Sequence, residues 1–505
     1  MSLKSVIETL KEYFELTDED VKRKENLLSS IYYLEKEEIL KRAKFYMTTF
    51  SLTQAEFNKI LKTLPNLLGY KNESILDKVN FYLTTFNLTQ TEFSKMFKTL
   101  PTLLGLNNES VLDKVNFYKN TFNLTQTEFN KMFKTLPVLL GYKNESVLDK
   151  VNFYMKTFDL SQAAFNKMLK TLPTLLSYNN ESVLDKVNFY TETFDLSQAE
   201  FNKMLKTLPT LLALNNESVL NKVNFYTETF DLTQAEFNKM LKISPALLGL
   251  NNESVLDKVN FYKKTFNLTQ TEFNKIFKVL STLLNYNKES VSDKVNFYKS
   301  TFNLSQTEFN KMLKTLPTLL ALNNESVLHK VNFYMETFDL TQAEFNKMLK
   351  ISPTLLSYKN ESVLEKKKNF DKIGLDKNDI IKNPSILAAP SNSLIFKYTL
   401  LYIDFGNKSF LEKKWYMPSE KKVWGRYAYI KQNGRSKPAD ILDGEKRFQK
   451  KYGIESCALM EKFPITKEVV EFVNCEYNKL AERNGDKKLE IKFDDLQKKD
   501  KGKGE

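Results

Sequence analysis

The stretch TQTEFSKMFKTLPTLLGLNNESVLDKVNFYKNTFNL, residues 89–124, decides the fold. Thr89 followed three residues later by Glu92 is a capping box: the hydroxyl satisfies an early helix amide and the carboxylate reaches back. The helix so begun carries Phe93, Met96, Phe97 and Leu100 at i, i+3, i+4 and i+7, a single apolar stripe. Pro101 ends it, because proline lacks an amide hydrogen and its ring clashes with the preceding turn. Leu103 and Leu104 follow in a short turn expected to be 3₁₀. Asn107-Asn108-Glu109-Ser110 then caps a second helix and sets negative charge at the positive end of its dipole. Val111, Val115, Tyr118 and Phe122 form its stripe, and Leu112 and Phe117 widen it, so this helix is expected to lie between neighbouring units. The turn Phe122-Asn123-Leu124 leads into the next capping threonine. The two helices are called leading and trailing below.

Outward from this stretch the same pattern recurs every 36 residues, with its capping residue at Thr53, Thr89, Thr125, Ser161, Ser197, Thr233, Thr269, Ser305 and Thr341. A fixed period in this range marks a solenoid, in which each unit buries its apolar face only against its neighbours. At the N-terminal end Leu16-Thr17 and Phe14 stand one period before Leu52-Thr53 and Phe50, with Ser29 in place of the proline. At the other end Asn383-Pro384-Ser385-Ile386-Leu387 mimics the proline-led turn. Leu394, Ile395, Tyr398, Leu401 and Phe405 form a trailing stripe there, and Ser419 to Tyr427 reads as a further helix start. The expected fold is an all-α solenoid superhelix, of either hand, with about eleven to twelve two-helix units each carrying a short 3₁₀ turn. Residues 1–52 read as a degenerate capping unit, 53–365 as regular units, 366–475 as degenerate basic units, and 476–505 as a charged, partly disordered tail.

The bulk composition, 42% hydrophobic and 27% charged, is that of an ordered chain. Cys457 and Cys475 have no metal-ligand spacing and read as reduced thiols. No apolar run is long enough to span a bilayer, and the first residues have neither a secretory apolar core nor the acid-poor character of a transit peptide. The net charge of +13 is uneven: residues 366–505 hold 31 Lys+Arg against 21 Asp+Glu, a net of +10, which leaves +3 for residues 1–365.

Within a unit, helical-wheel arithmetic puts Lys95 and Lys98 about 150° from the centre of the leading stripe, both outward. The pair recurs as Lys59 and Lys62, Lys131 and Lys134, Lys167 and Lys170, Lys203 and Lys206, Lys239 and Lys242, Lys275 and Lys278, Lys311 and Lys314, and Lys347 and Lys350. An asparagine column runs beside it (Asn58, Asn130, Asn166, Asn202, Asn238, Asn274, Asn310, Asn346), while trailing helices face outward with Asp113 and Asn116 and their repeats. Such lysines are what any solvated helix face contains, but a two-lysine column on stacked units also suits a phosphate backbone. Arg426, Arg435 and Lys437, with Lys446, Arg447, Lys450 and Lys451, extend the basic set into the C-terminal region. Arginine, the bidentate reader of guanine, is scarce, so backbone contact is expected over base reading. One pair varies between units, for example Lys119-Asn120, Thr191-Glu192 and Lys263-Lys264, either as an unconstrained surface or as a set of distinct contacts.

The lysine and aromatic residues of the trailing helix (Lys114, Val115, Phe117), the helix start Leu124-Thr125 with Glu128, and Pro137-Val138-Leu139-Leu140 together resemble the motif of the mitochondrial transcription termination factor (mTERF) family. The resemblance covers roughly residues 3 to 430. It implies an all-α superhelix that binds double-stranded DNA, in some members RNA, along a basic groove, without a catalytic site. It implies work in transcription regulation or termination, in an organelle if a presequence has been removed, or in the cytoplasm or on the nucleoid of a bacterium.

No nucleophile motif, glycine phosphate loop or metal-ligand cluster stands in the sequence, and the single histidine, His329, occupies a position that is Asp or Asn in sister units. The chain is therefore expected to be a monomeric non-enzyme without cofactor, metal, small-molecule substrate or membrane partner. Two expectations of function stand beside each other. One is a nucleic-acid-binding solenoid with duplex DNA on the lysines of the leading helices and on the C-terminal basic segment. The other is a protein-binding scaffold, or an RNA-binding protein.

Overall fold

The computed structural model of the chain describes residues 3–23, 31, 33–373, 375–406, 410, 415–434, 438–484, 488 and 490–497. Ser29, Arg435, Lys437 and the terminal KKDKGKGE lie outside the described residues. Among the described residues every regular element is a helix, and the chain is an all-α solenoid of leading helix, 3₁₀ turn and trailing helix. It divides into two compact units, Met1–Gly249 and Leu250–Glu505, each described by itself.

In the first unit the leading helices run Gln54–Thr63, Gln90–Thr99, Gln126–Thr135, Gln162–Thr171, Gln198–Thr207 and Gln234–Ile243. Each is followed by a proline-led 3₁₀ turn, and the trailing helices begin with Asn72–Phe86 and Asn108–Phe122. The expected caps form: the Thr89 hydroxyl accepts from the Glu92 amide at 3.2 Å, and the Thr89 amide donates to the Glu92 carboxylate at 2.8 Å. The degenerate first unit keeps the device with an aspartate, Thr17 and Asp20 bonding reciprocally at 2.9 and 3.1 Å. Leu100 does not complete the leading stripe. It is the C-cap, outside helical geometry at ψ 74 and half-buried, because the following proline forces its residue out of the α region. Each regular trailing helix described ends on an asparagine or aspartate in the left-handed conformation, such as Asn123 at φ 50 and Asp159 at φ 49. These two residue types tolerate that region at modest cost, so no glycine is needed.

The core lies between successive helices. Phe93, Met96, Phe97, Leu103, Val111, Val115, Tyr118 and Phe122 are buried. Aromatic rings also pack between repeats, with Phe86 at the end of one trailing helix and Phe133 in the leading helix Gln126–Thr135 tilted by 38° at 4.3 Å between centroids. The buried Tyr118 hydroxyl donates to the Leu139 carbonyl at 3.0 Å, tying a trailing helix to the next 3₁₀ turn. Leu112 departs from the expected wide apolar arc: it is 44% exposed, as are its sister leucines to within two per cent, so the buried arc of the trailing helix is narrower than its sequence.

The second unit continues the pattern from Gln270–Val279 to Asn360–Lys372. Ser281 replaces the proline there, yet Ser281–Asn285 is still a 3₁₀ turn. Beyond Asn360–Lys372 the helices Lys377–Lys382 and Ser391–Phe405 stand on either side of the 3₁₀ turn Pro384–Ala388. Leu394, Ile395, Tyr398 and Leu401 are buried. Ser419 caps the helix Glu420–Gln432, and Glu445–Tyr452, Ser456–Lys462, Lys467–Asn484 and Phe493–Gln497 follow. The boundary expected after residue 475 falls inside the helix Lys467–Asn484. Beyond it Ile491 and Leu496 are buried, and the Asn474 amide donates to the Ile491 carbonyl at 2.9 Å and accepts from its N–H at 2.8 Å. Among the described residues no helix is long and apolar enough to cross a membrane.

Candidate nucleic-acid interface

The two lysines of each leading helix, expected to face outward together, have different fates. The second turns sideways onto the capping glutamate of the preceding repeat. In the first unit Lys98 meets Glu56 at 2.9 Å, Lys134 meets Glu92 at 2.8 Å, Lys170 meets Glu128 at 2.9 Å and Lys242 meets Glu200 at 2.8 Å. In the second, Lys314 meets Glu272 at 2.7 Å and Lys350 meets Glu308 at 2.9 Å. These lysines are about one-third exposed rather than fully outward. A wheel measures direction around one axis, and the preceding leading helix presents its glutamate at that angle, within reach of a four-carbon stem. The hydrogen bond from Lys134, with that from the Thr89 amide, holds the Glu92 carboxyl down at about 2, and Lys242 and the Ser197 amide do the same to Glu200. Lys62 and Lys206 form no ion pair with a described residue, and Lys278 is exposed.

The first lysine stays free. Lys59, Lys95, Lys131, Lys167, Lys203 and Lys239 in the first unit, and Lys275, Lys311 and Lys347 in the second, are all exposed. None forms an ion pair among the described residues. The asparagine column is less open than these lysines, partly exposed at Asn130, Asn166, Asn238, Asn274, Asn310 and Asn346. Gln126 donates to the Asn130 side-chain oxygen at 2.8 Å, the sister pairs do likewise, and Asn58 and Asn202 are buried.

A third lysine column stands in the sequence only as a motif. Lys114 of the trailing helix donates at 2.6 Å both to the Tyr142 carbonyl and to the Asn144 side-chain oxygen of the next repeat, with its ammonium 5.8 Å from the Phe117 ring centre. Lys150 and Lys186 repeat the arrangement in the first unit and Lys294 and Lys330 in the second, while Arg42 takes the same role at the start. Partial burial pushes the Lys114 ammonium down from its ordinary range. The signal is a lysine three residues before a phenylalanine in every copy, but its partner sits 28 residues on.

Of the variable pair, the first residue is partly buried and can be tied down: Lys119 donates to Gln126 of the next leading helix at 3.1 Å, and the Thr191 hydroxyl to the Val187 carbonyl of its own helix at 3.0 Å. Only the second, Asn120, Lys156, Glu192 or Lys264, is exposed. Asp113, Asp149 and Asp185 are exposed on trailing helices, beside the exposed leucines.

In the C-terminal region Arg426 contradicts the expectation of a contact residue. It is fully buried, donating to the Ser456 hydroxyl at 2.8 Å, the Ile441 and Asp443 carbonyls at 3.0 and 2.5 Å, and the Glu445 carboxylate at 3.0 Å, with its guanidinium 4.0 Å from the Phe448 ring centre. Its five donors in a rigid fork suit it to gathering acceptors from several segments. Lys451 pairs with Asp440 and Arg447 with Asp443, leaving Lys446 and Lys450 exposed without an ion pair among the described residues. A cleft of about 1120 Å³ opens nearby, lined by Lys397, Glu420 and Met417 among others. Lys397 donates to the Tyr416 and Pro418 carbonyls at 2.7 and 3.0 Å, and Glu420 accepts from Ser393 at 2.7 Å, so its buried charges serve the wall. His329 is exposed, 3.8 Å from Glu325, and the described residues contain no group of His, Cys, Asp and Glu able to hold a metal ion.

No curated protein matches the chain. The mTERF family profile matches five overlapping stretches, residues 1–87, 22–163, 72–194, 154–281 and 274–394, well over half of the sequence. With helix, 3₁₀ turn and helix repeating through those stretches, the chain belongs to the mTERF family, whose members are nucleic-acid-binding helical-repeat proteins.

Proposed function

We propose that this protein binds double-stranded DNA along the free lysine column, as a monomer, and acts in transcription regulation or termination on a bacterial nucleoid or in an organelle. One observation carries the reading. Of the two lysines in each leading helix, one is neutralised by the neighbouring repeat where its partner is present, and the other is exposed and unpaired in all nine repeats. Ammonium groups on successive helices, spaced by roughly the 8–10 Å of helix packing, suit a polyphosphate strand. Contact through lysine positions a backbone and leaves base reading to few residues. Lys446 and Lys450 are a second, smaller cationic group available to the same ligand.

The test is charge reversal at Lys131, Lys167, Lys203 and Lys239 together, read as anisotropy of a labelled duplex across a salt series. We expect a loss of about a hundredfold or more in affinity near physiological salt, and a shallower salt dependence, because released counterions set the slope. Unchanged affinity at low salt would sink the duplex reading, and retained binding to single-stranded RNA alone would move it to RNA. The scaffold reading has one feature in its favour. Leu76, Leu112, Leu148, Leu184 and Leu220 are 42–44% exposed on the trailing helices, with acidic neighbours that would suit a basic protein segment.

A further inference from the structure

The series of ion pairs in the first unit has an interior gap. Ala164 occupies the position at which sister repeats carry the capping glutamate, 42 residues before Lys206. Ser161 still caps its helix, accepting from the Ala164 amide at 3.2 Å, but no carboxylate reaches back and none is offered to Lys206. One repeat earlier Lys170 is held by Glu128 at 2.9 Å, and one repeat later Lys242 is held by Glu200 at 2.8 Å. Lys206 itself is exposed and forms no ion pair with a described residue. Lys62, at the edge of the array, is likewise unpaired; Lys206 differs in having regular rungs on both sides.

The charge arithmetic is local. A regular rung holds two lysines and one glutamate, a net of one positive charge, whereas the rung at Lys203 and Lys206 holds two lysines and none. Lys203 and Lys206 are i, i+3 neighbours on one helix, with Cβ atoms about 5–6 Å apart. Like charges at that spacing repel, and a bound phosphate relieves the repulsion. Lys167 and Lys239 extend the free column on either side.

We propose that Lys203 and Lys206 form the principal phosphate anchor of the first unit, the rung at which a nucleic-acid backbone makes two contacts where its neighbours make one. The loss of one glutamate exchanges an inter-repeat tie for a binding cation. This rests on the duplex reading above, and the test separates the two. Full-length wild type, Ala164→Glu, Lys206→Ala and Lys170→Ala are compared on one labelled thirty-base-pair duplex (about three turns) over a salt series, with thermal melting of each. Ala164→Glu supplies the residue that sister repeats already accommodate. It is expected to melt above wild type and to lower the slope of log affinity against log salt by about one. Lys206→Ala lowers the slope by the same amount with melting unchanged. Lys170→Ala lowers melting and leaves the slope alone.

The proposal is overturned if Ala164→Glu binds with the wild-type slope, or if Lys206→Ala and Lys170→Ala change the slope equally. If the four-lysine reversal leaves duplex affinity intact, the duplex reading fails and takes the anchor with it. If that reversal abolishes binding while Ala164→Glu keeps the wild-type slope, only the anchor fails.

Discussion

The regular repeats and the C-terminal region invert the ranking that their net charges suggest. Residues 1–365 carry +3 and residues 366–505 carry +10, which points to the C-terminal region as the polyanion-binding segment. In the repeats, however, acids of the trailing helices such as Glu109 and Asp113 bring the net charge near zero together with the capping glutamates, and of the two lysines on each leading helix one is left exposed without an ion pair among the described residues. In the C-terminal region Arg426 is consumed by the core, and Lys451 and Arg447 by aspartates. Net charge counts ions; recognition depends on how many are not already engaged.

The largest effect that would sharpen this contrast is Arg426→Ala. Removing the guanidinium leaves two backbone carbonyls and the Ser456 hydroxyl without that donor and takes from Glu445 one of its two cations, Lys422 remaining, which should cost about 3–5 kcal/mol. Both tryptophans, Trp415 and Trp424, lie nearby in sequence, so their fluorescence in denaturant follows this region rather than the repeats. A variant with an unmoved tryptophan transition but weaker duplex binding would break the contrast. Next is Lys186→Met, which strips the donor from the Leu214 carbonyl and the Asn216 side chain, each at 2.6 Å. It should destabilise the first unit by about 1–3 kcal/mol in chemical denaturation, with the salt slope of binding unchanged. Tyr190→Phe, which leaves the buried Leu211 carbonyl without its hydroxyl donor at 3.2 Å, should cost about 1 kcal/mol by the same measurement.

The ion pairs predict a pH dependence confined to acid. Hydrogen bonds from lysine and from the cap amide hold Glu92, Glu200 and Glu308 at about 2 against an ordinary 4.5. Their folded pKa is depressed, so their contribution is complete above pH 4.5 and is lost as pH falls toward 2. A triple Glu→Gln variant at these positions should show less loss of helical circular dichroism stability over that window than wild type, and an identical profile would refute the assignment. The smallest expected change is from Glu128→Gln alone. It sits on an exposed pair, so melting should move only slightly. Lys170 would then be released, and the salt slope of duplex binding should steepen by about one.

The repeat is legible in the sequence because its determinants are local. A hydroxyl three residues before a carboxylate, an apolar stripe and a proline each act within one turn of chain. What stays concealed there is contact between repeats. Lys95 and Lys98 differ by about 60° on the wheel, and that small angle separates an exposed ammonium from one resting on the adjacent helix. Asn130 is only partly exposed and is engaged within its own helix by Gln126. The spacing of 42 between capping glutamate and paired lysine, and its interruption at Ala164, are visible in the sequence once the pairing is known. Arg426 has no repeat to betray it. Its acceptors come from Ile441, Asp443, Glu445 and Ser456, residues that only the folded chain gathers.

The ties described in the first unit have a mechanical consequence. Tyr118 reaches the turn of the next repeat, Lys114 the start of the next trailing helix, and Lys134 the cap of the previous leading helix. Every such bond joins adjacent repeats. Stretched from its ends, this run of repeats should come undone singly, as a spring shedding identical coils. Each event should release at most about 120 Å of contour from 36 residues at roughly 3.4 Å apiece. The joint that lacks its glutamate, between the helices of Ala164 and Lys206, is the coil expected to open at the lowest force.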